Sequence, residues 1–193
     1  MTIADLLGVL DISKGAFYHY FDSKRALLDG IVEMLNASAA ETIDQVMAEP
    51  SLDAMARLHL YVRSALDWKV DRKSDLSAIA RIWRDENNAI LRLRLAESSV
   101  ATLAPMLTAI IRQGVSEGVF DAGHPEEAAV LIAGMGLNLA DALVDAFSDP
   151  AAGERRMVLV EAHLEALERI LGAPAGSVTS LAPHLANANM LDG

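Results

Sequence analysis

The sequence predicts an all-α protein, and three features of the chain lead to this fold class. Alanine, leucine, methionine and arginine, which favour helices, are frequent throughout. Apolar residues recur at spacings of three and four, which places them on one face of a helix. No sustained run of alternating β-branched residues predicts a strand. With 193 residues and 52% hydrophobic content, the chain can bury a substantial core.

The first two predicted helices are short and are joined by a tight turn. Thr2 is a good N-cap for a helix over residues 2–10, and Ser13 can cap a second helix that ends near Phe21. Residues 11–13 form the turn between them. This pair has the proportions of a helix-turn-helix, in which one helix supports the other against the major groove of DNA.

Longer helices fill the rest of the chain, and proline, glycine and polar residues mark their ends. A third helix is predicted from about residue 22 to Met47, and Ser51 is expected to cap a fourth that ends near Val70. The remaining predicted helices cover residues 76–84, 86–117, 125–147 and 152–171. Pro105 is expected to kink or break its helix, because proline lacks an N–H and crowds the preceding turn.

Local signals also define the ends of the last two long helices. Pro125 suits the first helical position, and Glu126 and Glu127 are favourably placed at the positive end of the helix dipole. Gly172 closes the last long helix. Residues 173–193 have weak periodicity, so we expect a flexible C-terminal tail.

Composition and charge exclude several classes of protein. The chain has no cysteine, which excludes disulfides, zinc–thiolate sites and a thiol nucleophile. The start of the chain carries Asp5 and no basic stretch, and the apolar run over residues 128–140 is too short for a membrane span, so we expect a cytoplasmic protein without a membrane partner. No catalytic triad, phosphate-binding glycine loop or His-x-x-x-His pair is present, so neither an enzyme nor a metal or other cofactor is predicted.

Residues 13–24 read SKGAFYHYFDSK and concentrate aromatic residues, although these make up only 5% of the chain. Phe17 and Phe21 are four positions apart and share a helix face, so we expect both to pack in the core. Tyr18 and His19 fall off that face. The segment is locally basic although the chain has a net charge of −11 and a pI near 4.8. Basic residues on one short segment are suited to attract phosphate locally.

The sequence TIADLLGVLDISKGAFYHYFDSKRALLDGIV, residues 2–32, resembles the helix-turn-helix of the tetracycline-repressor (TetR) family of bacterial transcriptional regulators. A second, weaker resemblance is at IIRQGVSEGVF, residues 110–120, which is similar to the end of a long helix in the ligand domain of many members. The resemblance implies a helix-turn-helix DNA-binding region over residues 1–30 and a larger helical ligand-binding and dimerisation domain over residues 31–172, followed by the tail.

The resemblance also implies a function and partners. The implied protein is a ligand-responsive repressor that binds double-stranded operator DNA as a homodimer. A small, partly apolar effector is expected to release it from DNA. The alternative is a helical ligand-binding or interaction dimer that has lost specific DNA binding. The expected DNA contacts are Thr2, Ser13, Lys14, Gly15, Ala16, Tyr18, His19, Tyr20 and Lys24. Lys14 to Ala16 lie in the first turn of the second helix, where a recognition helix meets base edges.

Two further sites follow from the resemblance. A ligand pocket is implied among the helices over residues 51–117, although large aromatics there also serve as core packing. Its candidate residues are Tyr61, Trp68, Trp83, Arg84 and Met106. The last two long helices are the expected dimer interface, although the small residues of the first of them could instead pack within one chain. The candidate contacts are Leu131, Met135, Leu139 and Leu143.

The chain departs from the family pattern in one respect. Met1 stands just before the N-cap of the helix that corresponds to the second helix of the family. The residues that resemble the family therefore begin at its second helix, and its first helix has no counterpart among them. A start codon assigned too late, a shortened chain, or a real loss of operator binding would each explain this, and we favour a truncated N-terminus. The nucleotide sequence upstream of Met1 distinguishes these explanations.

Overall fold

Five α-helices and one turn of 3-10 helix make up the described part of the chain. The structure is a computed structural model and describes residues 24–71, 89–147 and 153–183. Its elements are α1 (Lys24–Met47), α2 (Ala54–Asp71), α3 (Ala89–Glu117), α4 (Pro125–Phe147), α5 (Gly153–Leu171) and the 3-10 turn η1 (Thr179–Leu181). These ranges contain no strand, in agreement with the predicted all-α fold. The predicted helix-turn-helix and the predicted helix over residues 76–84 lie outside the described residues.

One hydrophobic core connects the helices. α1 packs against α2 and α3, α2 packs against α3, and the chain continues by packing α3 on α4 and α4 on α5. The largest fully buried side chains come from α2, α3 and α5, and they are Leu58, Leu107, Ile110, Ile111, Val160, Leu164, Leu167 and Leu171. Within the described ranges, no helix is both long and apolar enough to cross a membrane.

The start of α2 corrects one prediction. The carboxylate of Asp53 accepts a hydrogen bond from the N–H of Ala56 at 2.7 Å, which is the geometry of an N-cap. Ser51 was the predicted cap, but its hydroxyl donates to Glu49 at 2.6 Å instead. Asp53 directly precedes the helix, whereas Ser51 is too far from the first free N–H groups.

α3 passes through Pro105 without a break. The helix runs from Ala89 to Glu117 with Pro105 inside it. Proline removes one hydrogen bond to the carbonyl of Ala101, but both residues are exposed, so water can reach this side of the helix. Of the predicted kink or break, the break does not occur, because the lost hydrogen bond lies on the solvent side of the helix.

The motif over residues 110–120 ends α3 and turns the chain toward α4. Gly118 has a positive φ of 74°, and the N–H of Val119 donates to the carbonyl of Gly114 at 2.9 Å. This is the Schellman arrangement, which needs a residue in the left-handed region. Phe120 then folds back so that its buried ring lies against Gly114. The two glycines have separate roles, since one makes the turn and the other leaves room for the ring.

The same end of α3 holds the start of α2. The carboxylate of Glu117 accepts a hydrogen bond from the N–H of Ala54 at 2.8 Å, and the amide of Gln113 donates to the carbonyl of Leu52 at 3.0 Å. Arg57 donates to the amide oxygen of Gln113 at 2.7 Å. These bonds fix α2 to α3 at one end of the bundle, below the region where α1 joins them.

The described part of the predicted tail, residues 175–183, packs against the helical body, and we call it the C-terminal segment. The carboxylate of Glu168 accepts hydrogen bonds from the N–H groups of Val178 and Thr179 at 2.7 Å and of Gly176 at 3.1 Å. Burial alone would raise the pKa of this carboxyl, but the three hydrogen bonds outweigh it, so the pKa of Glu168 lies below its ordinary value. Weak periodicity did not predict this order, because one carboxylate organises the segment.

A second contact joins the C-terminal segment to α2. The Nε2 of His59 donates to the carbonyl of Ser177 at 2.7 Å. Val178 and Ala182 are 0% and 1% exposed and belong to the core. The segment therefore rests on both α5 and α2.

Candidate effector site

A cluster of polar side chains lies where α1, α2 and α3 meet. The Nδ2 of Asn36 donates to the hydroxyl of Ser98 at 3.0 Å, and the hydroxyl of Ser99 donates to the Oδ1 of Asn36 at 2.8 Å. Ser99 is only 5% exposed. The indole N–H of Trp68 donates to the hydroxyl of Ser38 at 3.2 Å. We call Asn36, Ser38, Trp68, Ser98 and Ser99 the polar cluster.

The helical periodicity explains how α1 reaches two helices at once. Asn36 and Ser38 are two positions apart and point to different sides of α1. Asn36 faces α3 and Ser38 faces α2, which agrees with the packing of α1 on both. α1 is therefore held by polar contacts from two directions.

An apolar region adjoins the polar cluster. Tyr61 is seven positions before Trp68 on α2, and Met106 is seven positions after Ser99 on α3, so each shares a helix face with a member of the cluster. Tyr61 is buried, and burial raises its pKa to about 12, so it is a neutral phenol at physiological pH. Met106 is partly buried against the core.

Three of the five predicted ligand residues therefore fall within the described helices. Tyr61, Trp68 and Met106 line the helix faces around the polar cluster, whereas Trp83 and Arg84 lie outside the described residues. The side chains of Tyr61 and Met106 pack against the core, and the side chain of Trp68 makes a hydrogen bond.

The chemistry of the region suits a small organic molecule. Its polar groups are hydroxyls, an amide and an indole N–H, which are neutral donors and acceptors beside an apolar surface. Among the residues that the structure describes, no group of histidine and acidic side chains could hold a metal ion.

The sequence did not single out four members of the polar cluster. Asn36 and Ser38 interrupt an otherwise apolar stretch of α1, and Ser98 and Ser99 are adjacent in α3. Polar residues within these apolar stretches were the only sign of the polar cluster that the sequence offered. Asn36 is more than sixty positions from Ser98 and Ser99, and Ser38 is thirty positions from Trp68, so only the fold shows that they meet.

The predicted DNA contacts adjoin the described body. Lys24 is the first residue of α1, of which the backbone is described. The other predicted contacts lie outside the described residues, and they are Thr2, Ser13, Lys14, Gly15, Ala16, Tyr18, His19 and Tyr20. We call residues 1–23, the part of the predicted DNA-binding region that precedes α1, the DNA-binding segment. Because α1 begins at Lys24, this helix connects that segment to the polar cluster.

The predicted dimer contacts divide into two groups. Leu131 is 59% exposed and Met135 is partly exposed. Leu139 and Leu143 are 7% and 4% exposed in the single chain. Both leucines point into the hydrophobic core, a direction that periodicity alone does not fix.

α4 and α5 carry further positions that leave room for a partner. Val158 of α5 is 57% exposed. A Cβ added at Gly134 or Gly136 would meet no atom within 4 Å. We call Leu131, Gly134 and Val158 the α4–α5 face. The buried alanines of α4, by contrast, pack within the chain, and they are Ala128, Ala129 and Ala133.

Comparisons with known proteins agree with the resemblance of the N-terminal residues. Residues 1–31 match the sequence model of "Bacterial regulatory proteins, tetR family". The chain is 33% identical over 63 residues to "Transcriptional regulator AcuR" of Cereibacter sphaeroides. This match covers 33% of the chain and spans 29% of the length of that curated relative.

A solved structure extends the comparison to the helical body. A bacterial regulatory protein in the tetR family from Rhodococcus RHA1 aligns with a TM-score of 0.59 over 90% of this chain and 87% of that chain. The sequence identity is 23%, so this likeness concerns the fold. The two comparisons agree: residues 1–31 match the TetR family model, and the helical body shares the fold of a TetR-family protein.

Proposed function

We propose that this protein is a transcriptional repressor that binds operator DNA as a homodimer and is released by a small, partly apolar effector. The match of residues 1–31 to the family model carries the proposal. Proteins of this family act by binding DNA rather than by catalysing a reaction. A DNA-binding role also implies a cytoplasmic location.

The connection through α1 supports a mechanism for release. α1 begins at Lys24, next to the DNA-binding segment, and passes the polar cluster at Asn36 and Ser38. An effector that binds among α1, α2 and α3 and prefers one arrangement of α1 shifts the population toward that arrangement. A coupling free energy of about 1–3 kcal/mol changes operator affinity by roughly 5–150-fold.

Operator binding is the direct test of this proposal. We expect the protein to prefer a duplex that covers the promoter region beside its own gene over a random duplex at physiological salt. Lys14→Ala should weaken this binding by about tenfold or more, because lost base or phosphate contacts cost about 1–3 kcal/mol each. Fluorescence anisotropy at several salt concentrations measures both quantities.

Arg63→Ala is the matched control, because Arg63 is an exposed basic residue of α2 and is not among the predicted DNA contacts. It should leave operator affinity unchanged. The same measurement with any in-frame extension upstream of Met1 separates a shortened chain from a protein without operator binding. No operator preference in either form contradicts the repressor proposal and favours the alternative, a helical ligand-binding dimer.

The α4–α5 face supports dimerisation through these two helices. Leu131 and Val158 offer apolar side chains to a partner, and the open space at Gly134 lets a second helix approach closely. We expect Leu131→Glu to shift the protein from dimer to monomer at micromolar concentration, because a charge would be buried at the interface. Analytical ultracentrifugation measures the mass.

Val115→Glu provides the matched control for the dimer. Val115 is an exposed valine of α3, 41% exposed, and lies outside the α4–α5 face. This variant should remain a dimer. If Leu131→Glu keeps the mass of the unmodified protein, then the two helices do not form the interface.

A further inference from the structure

The amide of Asn36 is bound at both ends by two adjacent serines of another helix. Its Nδ2 donates to Ser98 at 3.0 Å and its Oδ1 accepts from Ser99 at 2.8 Å. Asn36 belongs to α1 and both serines belong to α3. A single side chain of α1 therefore makes a two-point contact with α3, and one of its partners is almost fully buried.

Such a contact is sensitive to the position of α1 along its axis. A helix advances by about 1.5 Å per residue, so a shift of one residue would stretch bonds of 2.8 and 3.0 Å beyond the range of a hydrogen bond. Both bonds share the Asn36 amide and would break together. Water cannot readily replace the bond at Ser99, because that hydroxyl is buried.

The apolar contacts of α1 depend less on the exact axial position of the helix. Val46, which is 2% exposed near the end of α1, contributes burial to the core, and burial is not directional. Packed apolar side chains also resist sliding, but their contacts are not directional and can re-form after a displacement, whereas a buried polar contact favours one register. The bond from Trp68 to Ser38 adds a polar contact with α2 but uses only one donor.

We propose that Asn36, held by Ser98 and Ser99, is a positioning residue that fixes the axial position of α1 on α3 and thereby the placement of the DNA-binding segment. The axial role stands on the geometry alone, and the effect on DNA rests on the proposed function. Asn36 acts through α1 and needs no contact with DNA or effector.

The absence of cysteine makes a direct measurement possible. Cysteines introduced at Glu33 and Arg94 are the sole labelling sites in the chain, and both positions are exposed, one turn before Asn36 and Ser98 respectively. Double electron–electron resonance between spin labels there reports the position of α1 relative to α3. We expect one narrow distance distribution in the labelled protein and a shifted or broadened one after Asn36→Leu, which removes both bonds at similar volume.

Thr108→Val is the matched control, because the hydroxyl of Thr108 donates at 2.8 Å to the carbonyl of Ala104 in its own helix. This variant loses a polar group of α3 without touching α1, so its distance distribution should remain that of the labelled protein. If the Asn36→Leu distribution also remains unchanged, or if both variants change equally, the positioning role is overturned.

Operator affinity tests the second part of the proposal. Asn36→Leu should change affinity for the promoter duplex by about tenfold, within the range of allosteric couplings, while Thr108→Val leaves it unchanged. Thermal unfolding of both variants shows whether the change exceeds that expected from stability. If α1 moves in Asn36→Leu but affinity does not change, the link to DNA is overturned. If the unmodified protein has no operator preference, the repressor proposal fails while the distance measurement still decides the axial role.

Discussion

Replacing Glu168 by alanine is expected to lower the free energy of unfolding by about 3 kcal/mol and to release the C-terminal segment. The carboxylate accepts three backbone hydrogen bonds, and bonds to a charged group contribute about 1.5–3 kcal/mol each. The loss is smaller than their sum, because the released N–H groups of the segment can bind water. Urea unfolding measures the free energy, and hydrogen exchange at residues 176–179 measures release.

Glu165→Ala is the control for this change. Glu165 lies on α5 one turn before Arg169, its exposed ion-pair partner, and makes no contact with the C-terminal segment in the described structure. Exposed pairs of this kind contribute little, so stability should hardly change. Equal stability of the two variants would contradict the role of Glu168.

The acid side of the stability curve should also depend on Glu168. Its pKa in the folded state lies below the ordinary value of 4.5, so folding is stabilised above that pH. This contribution is lost as the pH falls from about 4.5 through the lower pKa of the folded state. Glu168→Gln should lower the free energy of unfolding at neutral pH. The free energy of unfolding of this variant should also fall less steeply below pH 4.5 than that of the unmodified protein.

Gly114→Ala is expected to destabilise the fold by about 2–4 kcal/mol, because the new methyl group would overlap the ring of Phe120. The ring Cγ would lie 2.7 Å from the added Cβ, and the other nearest ring atoms would be closer. Phe120 is 4% exposed, so the ring cannot move aside without leaving the core. Urea unfolding measures the effect.

Gly123→Ala tests whether the effect is specific, since a Cβ there meets no atom within 4 Å. That variant should keep its stability. Phe120→Leu should cost less in the Gly114→Ala background than alone, because the two sites are in contact and their effects are not additive. Additive costs would show that the ring and the methyl group do not compete for space.

Local signals allowed the sequence to predict most helix ends. Pro125 opens α4 where expected, and Gly172 closes α5 with φ of 60° and a hydrogen bond from Ala173 to the carbonyl of Glu168. These signals act within a few residues, so they can be identified without the fold. At the start of α2 the same reasoning selected Ser51, but the N-cap is Asp53. The two candidate cap residues are only two positions apart, so the sequence did not distinguish them.

The candidate effector site depends on contacts between distant residues and was predicted only in part. Trp68 was chosen as an aromatic of the helical body, but its partner Ser38 is thirty positions away. Asn36 meets Ser98 across 62 positions. The inward direction of Leu139 and Leu143 likewise depends on tertiary packing. Periodicity identifies an apolar face but not the helix that covers it.

The hydrogen bond from His59 to Ser177 has a consequence for how the protein is made. It joins positions 118 residues apart, and so it cannot form until nearly the whole body has been synthesised. Val178 is fully buried in the finished protein, so the surface of the core that it covers stays open until residue 178 has been synthesised. Residues 175–183 can therefore complete the core only after α5 has been synthesised.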